Sequence, residues 1–176
     1  MKNILFVCLG NICRSPAAEG VMLDLLEKRK LLAGYEVDSA GTSQYHAGSL
    51  ADPRMREHAQ ARNIKLTSRS RRFDELNDFR HFDYIIAMDR QNLKDLSSLD
   101  QKEQFQGKLY LMSEFAQKRS EIDVPDPYYG GEQGFETVLD IVTDCCEGLI
   151  LHLESCLLYT SPSPRDATLS RMPSSA

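Results

Sequence analysis

Ile4-Leu5-Phe6-Val7-Cys8-Leu9-Gly10-Asn11-Ile12-Cys13-Arg14-Ser15-Pro16 is the stretch that decides the architecture. Its first four residues are a continuous apolar run rich in β-branched and aromatic side chains, which reads as a buried strand. Gly10 and Asn11 tolerate left-handed backbone angles and mark the next segment as a tight loop. Ser15 then suits a helix N-cap, Pro16 the first helical position and Glu19 the first turn. The apolar stripe of Val21, Met22, Leu25 and Leu26 carries that helix towards Lys30. Strand, loop and helix in this order open an α/β fold.

Outward from that unit the same alternation continues. Tyr35–Ala40 reads as a second strand ended by Gly41, and Asp52-Pro53 starts a helix extending to about Arg62. Tyr84–Met88 is a third buried strand, after which Asp89 caps a short helix through Leu93 and Leu96. Lys108–Leu111 is a weaker fourth strand. Two prolines and two glycines make a loop of Val124-Pro125-Asp126-Pro127-Tyr128-Tyr129-Gly130-Gly131. The last helix carries Phe135, Val138, Leu139, Val142, Cys146, Leu149, Ile150 and Leu153 at helical spacing. Strands separated by helices imply a parallel sheet covered on both faces in a single domain.

From about residue 157 the chain changes character. Ser, Thr and Pro dominate, three of the seven prolines lie there, and apolar periodicity stops. Residues 1–156 are therefore expected to form the domain, and residues 157–176 a disordered or non-native tail.

Composition excludes several classes. At 176 residues, 41% apolar and 27% charged, the chain has the make-up of a globular domain. A net charge of -5 argues against a nucleic-acid partner. No apolar run nears the roughly 20 residues of a membrane span, and no signal-peptide core precedes Cys8. Five cysteines, an odd number, are expected as reduced thiols in a cytoplasmic chain. Cys145 and Cys146 sit in a core-facing helix. His46, His58, His81 and His152 lack metal-ligand spacing, so no metal or other cofactor is expected. Arg69, Arg71 and Arg72 read as a solvated face, and Asp89 as a helix cap.

The loop after the first strand is where chemistry is expected. Unpaired amides at a helix N-terminus, with its dipole, make an anion site. Cys8 stands at the base of that site, and the amides, the dipole and Arg14 together favour its thiolate, the form that attacks. Arg14 offers a planar fork matching phosphate oxygens, which lysine lacks. A phosphate held there would face Cys8 with phosphorus. Asp126, stiffened between two prolines, is the best candidate to supply a proton to a leaving oxygen.

Val7-Cys8-Leu9-Gly10-Asn11-Ile12-Cys13-Arg14-Ser15-Pro16 followed by Ala18-Glu19 resembles the low-molecular-weight protein tyrosine phosphatases. Asp38-Ser39-Ala40-Gly41-Thr42, Asp52-Pro53-Arg54-Met55, Ala87-Met88-Asp89 and Asp126-Pro127-Tyr128 match in order, so the resemblance runs from Met1 to about Ser155. It implies a Rossmann-like, four-stranded parallel sheet and a two-step hydrolysis of phosphotyrosine in protein substrates. Cys8 would be the nucleophile, Arg14 the clamp and Asp126 the general acid and then base. Leu9, Gly10, Asn11, Ile12, Cys13 and Ser15 would form the phosphate-binding loop, which inorganic phosphate or sulfate would also occupy. Asn11 would hold the loop's shape and Ser15 would stabilise the thiolate. Tyr45, Tyr128 and Tyr129 would wall the pocket. Cys13 would form a reversible disulfide with Cys8 under oxidation. A monomer is the default.

Three rivals share these features. An arsenate reductase needs relay cysteines, and none lies between Cys13 and Cys145. A protein-arginine phosphatase on this scaffold typically has Thr where this chain has Ile12. A catalytically dead phosphoprotein-binding module would lack one of Cys8, Arg14 and Asp126, and all three are present.

Overall fold

Every strand of the computed structural model is parallel, and all of them end at one edge of the sheet. The structure describes residues 1–129 and 131–158, without the side chains of 129, 157 and 158. Strands β1 (Lys2–Cys8), β2 (Tyr35–Gly41), β3 (Tyr84–Ala87) and β4 (Leu109–Leu111) are ordered β2-β1-β3-β4. Cys8 pairs with Gly41, and Val7 with Ala87. The β1/β3 boundary is where the strand order reverses, the place where open α/β sheets bind ligands beyond their carboxyl ends.

Alternation along β1 divides the core in two. Ile4, Phe6 and Cys8 face helices α1 (Arg14–Lys28) and α5 (Gly131–Leu158), while Leu5 and Val7 face the other layer with Ile85, Ala87, Phe79 and Leu96. That second layer holds the short helix α3 (Asp78–His81) and α4 (Arg90–Leu99); α2 (Pro53–Gln60) packs with α5 on the first. Cys145 and Cys146 are buried in the first layer. Burial, above all, lifts the Cys145 thiol to about 12 and the Cys146 thiol well above its ordinary value, so both pack as small hydrophobes.

Local expectations are corrected at several ends. Helix α1 starts at Arg14 with Cys13 as N-cap and no side-chain cap bond, so Ser15 is its second residue and Pro16 its third. Proline is tolerated there because the first four helical amides lack intrahelical acceptors anyway. α1 ends at Lys28, with Lys30 left-handed (φ 59°) beyond it. α5 begins at Gly131, a turn before Phe135, and α3 carries no periodicity long enough to read. Residues 127–129 form a 3₁₀ turn inside the expected loop. The expected tail lies outside the described residues, apart from the backbone of 157 and 158 that closes α5.

Helix α5 also anchors the long connection after β4. Asp144 accepts hydrogen bonds from the backbone N–H groups of Gln117, Lys118 and Arg119 at 2.9–3.2 Å. A Cβ on Gly148 would lie 1.9 Å from the Phe115 carbonyl oxygen, so the helix passes the 112–115 turn at backbone contact. Val124 N–H then bonds the Met88 carbonyl at the end of β3 (2.9 Å). The sheet edge thus receives residues 125 and 126 from a fixed stem.

Candidate active site

The loop from Leu9 to Cys13 has its carbonyls tied outward. Cys8 O accepts from Thr42 N (2.9 Å), Leu9 O from Ser43 N (3.0 Å) and Ile12 O from Asp52 N (2.8 Å). Gly10 O accepts from the Ser70 hydroxyl (2.9 Å). With the carbonyls committed outside, the opposite peptide ends face the cleft. Among the described residues, the amides of Leu9, Gly10, Ile12, Cys13 and Arg14 have no protein acceptor. Asn11 N–H alone is directed at Cys8 Sγ (3.3 Å).

The backbone reverses at Asn11, the only left-handed residue of the loop (φ 56°). Gly10 was expected to share that role. Gly10 instead sits close under His46: a Cβ there would stand 3.1 Å from His46 Cδ2, so the ring would have to give way slightly. Asn11 is held at three points, donating through Nδ2 to Ser15 Oγ (2.8 Å) and Ser39 Oγ (2.9 Å) and accepting at Oδ1 from Arg71 N (3.0 Å). Asparagine accepts left-handed angles better than most residues because it bonds locally, and here those bonds are all made.

Cys8 Sγ lies 3.0 Å from Ser15 Oγ. The hydroxyl expected to cap the helix is therefore turned onto the sulfur. Arg14 is buried; its Nη1 donates to Asp89 Oδ2 (2.6 Å) and to the Val124 carbonyl (3.1 Å). Among the described residues its Nε and Nη2 have no hydrogen-bond partner, and Arg14 lines the cleft. Burial works against the guanidinium charge, but the Cys8 and Asp89 charges outweigh it and hold Arg14 more firmly protonated. Cys13 differs sharply from Cys8's surroundings. Burial first, then the charge of Asp52, pushes its thiol up to about 12, so it stays neutral.

A cleft of about 300 Å³ opens over this loop, lined by Cys8, Leu9, Gly10, Ile12, Cys13, Arg14, Tyr45, His46, Asp126 and Tyr128. Asp126 is exposed and accepts from Tyr128 N (3.0 Å), a turn that aims its carboxylate. Pro127 behind it is pressed on α5, since a Cβ on Gly134 would meet its carbonyl oxygen at 3.2 Å. Tyr45 is 86% and Tyr128 57% exposed, so they form a rim. Arg54 lies 5.5 Å from the Tyr128 ring centroid. The side chain of Tyr129 falls outside the described residues. Among the described residues, no group of three or more His, Cys, Asp or Glu could hold a metal ion.

A family model described as low molecular weight phosphotyrosine protein phosphatase matches residues 3–156. The chain belongs to that family. It is accordingly a hydrolase of the protein-tyrosine-phosphatase class. A Synechocystis relative carrying the same family designation is 43% identical over 151 residues, covering 86% of this chain and 96% of its own. A solved protein tyrosine phosphatase from Entamoeba histolytica, with Hepes in its active site, superposes with a TM-score of 0.85 at 47% identity. It covers 88% of this chain and 98% of its own. A Drosophila arginine phosphatase structure is also similar, with a TM-score of 0.80, 31% identity and coverage of 88% and 98%.

Three contributors to this phosphatase's site escaped the sequence reading. Asp89 does cap α4 through Asn92 N (2.7 Å), and its other oxygen also orients Arg14. Arg71 is half-buried and paired: it spans Asp38 (3.0 Å) and Asp78 (2.9 Å) while its amide fixes Asn11. His46 borders the cleft, edge-on to Tyr45. The sequence signal for Asp89 was its place after a buried strand, at the sheet's carboxyl edge. For Arg71 and His46 no local signal exists.

Gly41 is a tight point beneath the loop. A Cβ there would lie 2.7 Å from Leu9 O and 3.2 Å from Asn11 Cβ. Gly41→Ala is expected to push the loop off its amides' common centre and lower kcat/KM by roughly 100-fold, as small misplacements in active sites do. Steady-state kinetics beside a melting curve would check this; an unaltered kcat/KM would show that the loop has room to move.

Proposed function

We propose that this phosphatase hydrolyses phosphotyrosine in proteins through a phosphocysteine intermediate. The observation that carries the reading is the convergence of Cys8, Arg14 and Asp126 on one cleft, floored by inward-facing amides and rimmed by Tyr45 and Tyr128. The amides and the free edge of Arg14 would hold three phosphoryl oxygens. Cys8 thiolate would attack phosphorus in line while the P–O bond to the phenol breaks, and Asp126 would pass its proton to the departing oxygen. Water would then attack the phosphocysteine, Asp126 taking its proton, with phosphate and the Cys8 thiolate as products. Ser15 stabilises the thiolate at both ends of the cycle.

Phosphotyrosine is favoured because its phosphate stands a ring's length from the backbone, whereas phosphoserine would bring the peptide against the rim. The Entamoeba structure's Hepes carries a sulfonate, whose oxygens resemble those of a phosphate ester; phosphate or sulfate would occupy the same loop here. The buried, neutral Cys145 and Cys146 are poorly suited to a disulfide relay, which favours phosphatase over arsenate reductase. Cys13, bordering the same cleft as Cys8, would resolve an oxidised Cys8 as a disulfide.

Phosphate release from phosphotyrosine, phosphoserine and phosphoarginine peptides, with EDTA and reductant present, tests the substrate class. Phosphotyrosine is expected to dominate. Preferred release from phosphoarginine would transfer the assignment to the activity named for the Drosophila neighbour. Residues 1–156 are proposed as the complete catalytic domain, in keeping with the end of the family match. Deleting 157–176 is expected to leave kcat and melting temperature unchanged, and a clear loss of either would refute that boundary.

A further inference from the structure

The chain carries a net charge of -5, yet one wall of the cleft is cationic. From Ser39 to Ala51, the stretch that brings Tyr45 and His46 to the cleft, there is no Asp or Glu. Residues 69–73 run behind that wall as an extended strap. Ser70 N donates to Ser49 O (2.7 Å), Gly48 N to Ser70 O (2.8 Å), and Leu50 bridges Arg69. At the other end of the strap Arg72 bridges Gly41 in parallel, with Phe73 N donating to Gly41 O (2.7 Å).

This register fixes which way each arginine leaves. Bridged residues share a face of the sheet, and successive residues alternate between faces. A Cβ on Gly41 would meet Leu9 O and Asn11 Cβ, so Gly41 faces the loop, and Arg72 leaves on that same face. Ser70, two residues earlier, agrees, since its hydroxyl donates to Gly10 O. Arg71, between them, turns to the other face and is neutralised by Asp38 and Asp78. Arg69 is exposed, and its Nη1 donates to the Gly48 carbonyl (3.0 Å). Among the described residues neither Arg69 nor Arg72 has a carboxylate partner. Across the cleft stands the acidic Asp126, and Arg54 beyond it is matched by Asp52. The uncompensated positive charge therefore lies on one side only.

We infer that Arg69 and Arg72 form a subsite for acidic residues flanking the phosphotyrosine, which makes acidic phosphopeptides the favoured substrate class. The inference rests on phosphotyrosine being the substrate. An extended peptide advances about 3.3 Å per residue, so a carboxylate two or three positions away lies within about 10 Å of the phosphotyrosine. That reach matches the distance over which exposed charges act before salt screens them. Ion pairs at an exposed rim are individually weak, and they act alike on bound substrate and transition state. The preference is thus expected in KM, with kcat unaltered.

Three phosphotyrosine peptides test this, identical except that both flanks carry Glu, Ala or Lys. At low salt, KM is expected to be about tenfold lower for the Glu peptide than for the Ala peptide. Near about 0.5 M salt the difference is expected to shrink to about twofold. Arg69→Gln combined with Arg72→Gln is expected to leave a preference below about twofold at low salt, with kcat/KM for a small aryl phosphate, which has no flanks, nearly unchanged. Arg69→Glu combined with Arg72→Glu is expected to reverse the order, so that the Lys peptide is taken best. A merely structural role would give no reversal. If that variant does not fold, the glutamine pair with its aryl phosphate control decides the matter. Lys2→Gln, which lowers the charge at the opposite end of β1, is expected to leave the preference intact.

An undiminished preference in the double glutamine variant would overturn the inference. So would the lack of any preference in the parent chain, or an equal loss on Lys2→Gln. Absence of turnover on every phosphotyrosine peptide would instead count against the proposed function, and titration calorimetry of the same three peptides would then decide the flank preference through binding.

Discussion

Cys8→Ser is expected to remove phosphotyrosine turnover by at least about 10⁴-fold while phosphate binding survives. The two halves of that expectation have different origins. Turnover needs an ionised nucleophile, and a serine hydroxyl stays protonated where a thiol can ionise. Binding would rest on groups the substitution leaves alone: the loop amides and Arg14. Asn11 stays fixed through Arg71, Ser15 and Ser39, so the loop has no reason to collapse. Loss of one thiolate also removes a negative charge facing Arg14, which would sharpen its hold on a dianion. Single-turnover kinetics with calorimetric titration of inorganic phosphate would measure both. Residual turnover above about 1% would mean that another group attacks phosphorus; loss of phosphate binding as well would mean that Cys8 supports the loop itself.

Asp126→Asn is expected to lower kcat on phosphotyrosine by about 10²–10⁴-fold, the usual worth of a general acid. An amide keeps the side chain's shape and its bond from Tyr128 N, so the loop should hold. What disappears is the proton for the phenolic oxygen, whose conjugate acid has a pKa of about 10. The deficit should therefore shrink with aryl phosphates of more acidic phenols, which leave without help. It should persist for the second step, where water still needs a base. A leaving-group series at fixed pH would check this. An equal deficit for all leaving groups would place Asp126 in dephosphorylation alone, and no deficit would remove it from the chemistry.

Much of this enzyme is legible along the chain because the relevant physics is local. A buried strand, a reversal at Asn11 and a helix entered at Arg14 together make an anion site, and residues 4–16 state all three. Errors cluster where a residue's role is settled by distant neighbours. Ser15 satisfies every local criterion of an N-cap, but its hydroxyl is drawn to Cys8 and Asn11, and the helix starts two residues earlier than that cap implies. Gly10 looks like a turn glycine, whereas the tightness at its Cβ position comes from His46, 36 positions away in sequence. Arg71 reads as surface charge, and two carboxylates from different elements bury it in purpose if not in full.

The chain by itself determined the α/β alternation, the cysteine at a strand's end and the arginine at a helix entrance. These follow from side-chain periodicity and backbone preference within about fifteen residues. Only the tertiary structure decided that Asp89 orients Arg14 and that Asp126 shares the cleft. Those partners lie on different strands and loops, and parallel pairing alone delivers them to one sheet edge. Hydrogen-bond direction, in particular, is set by which distant atom claims each proton, and no local pattern encodes it.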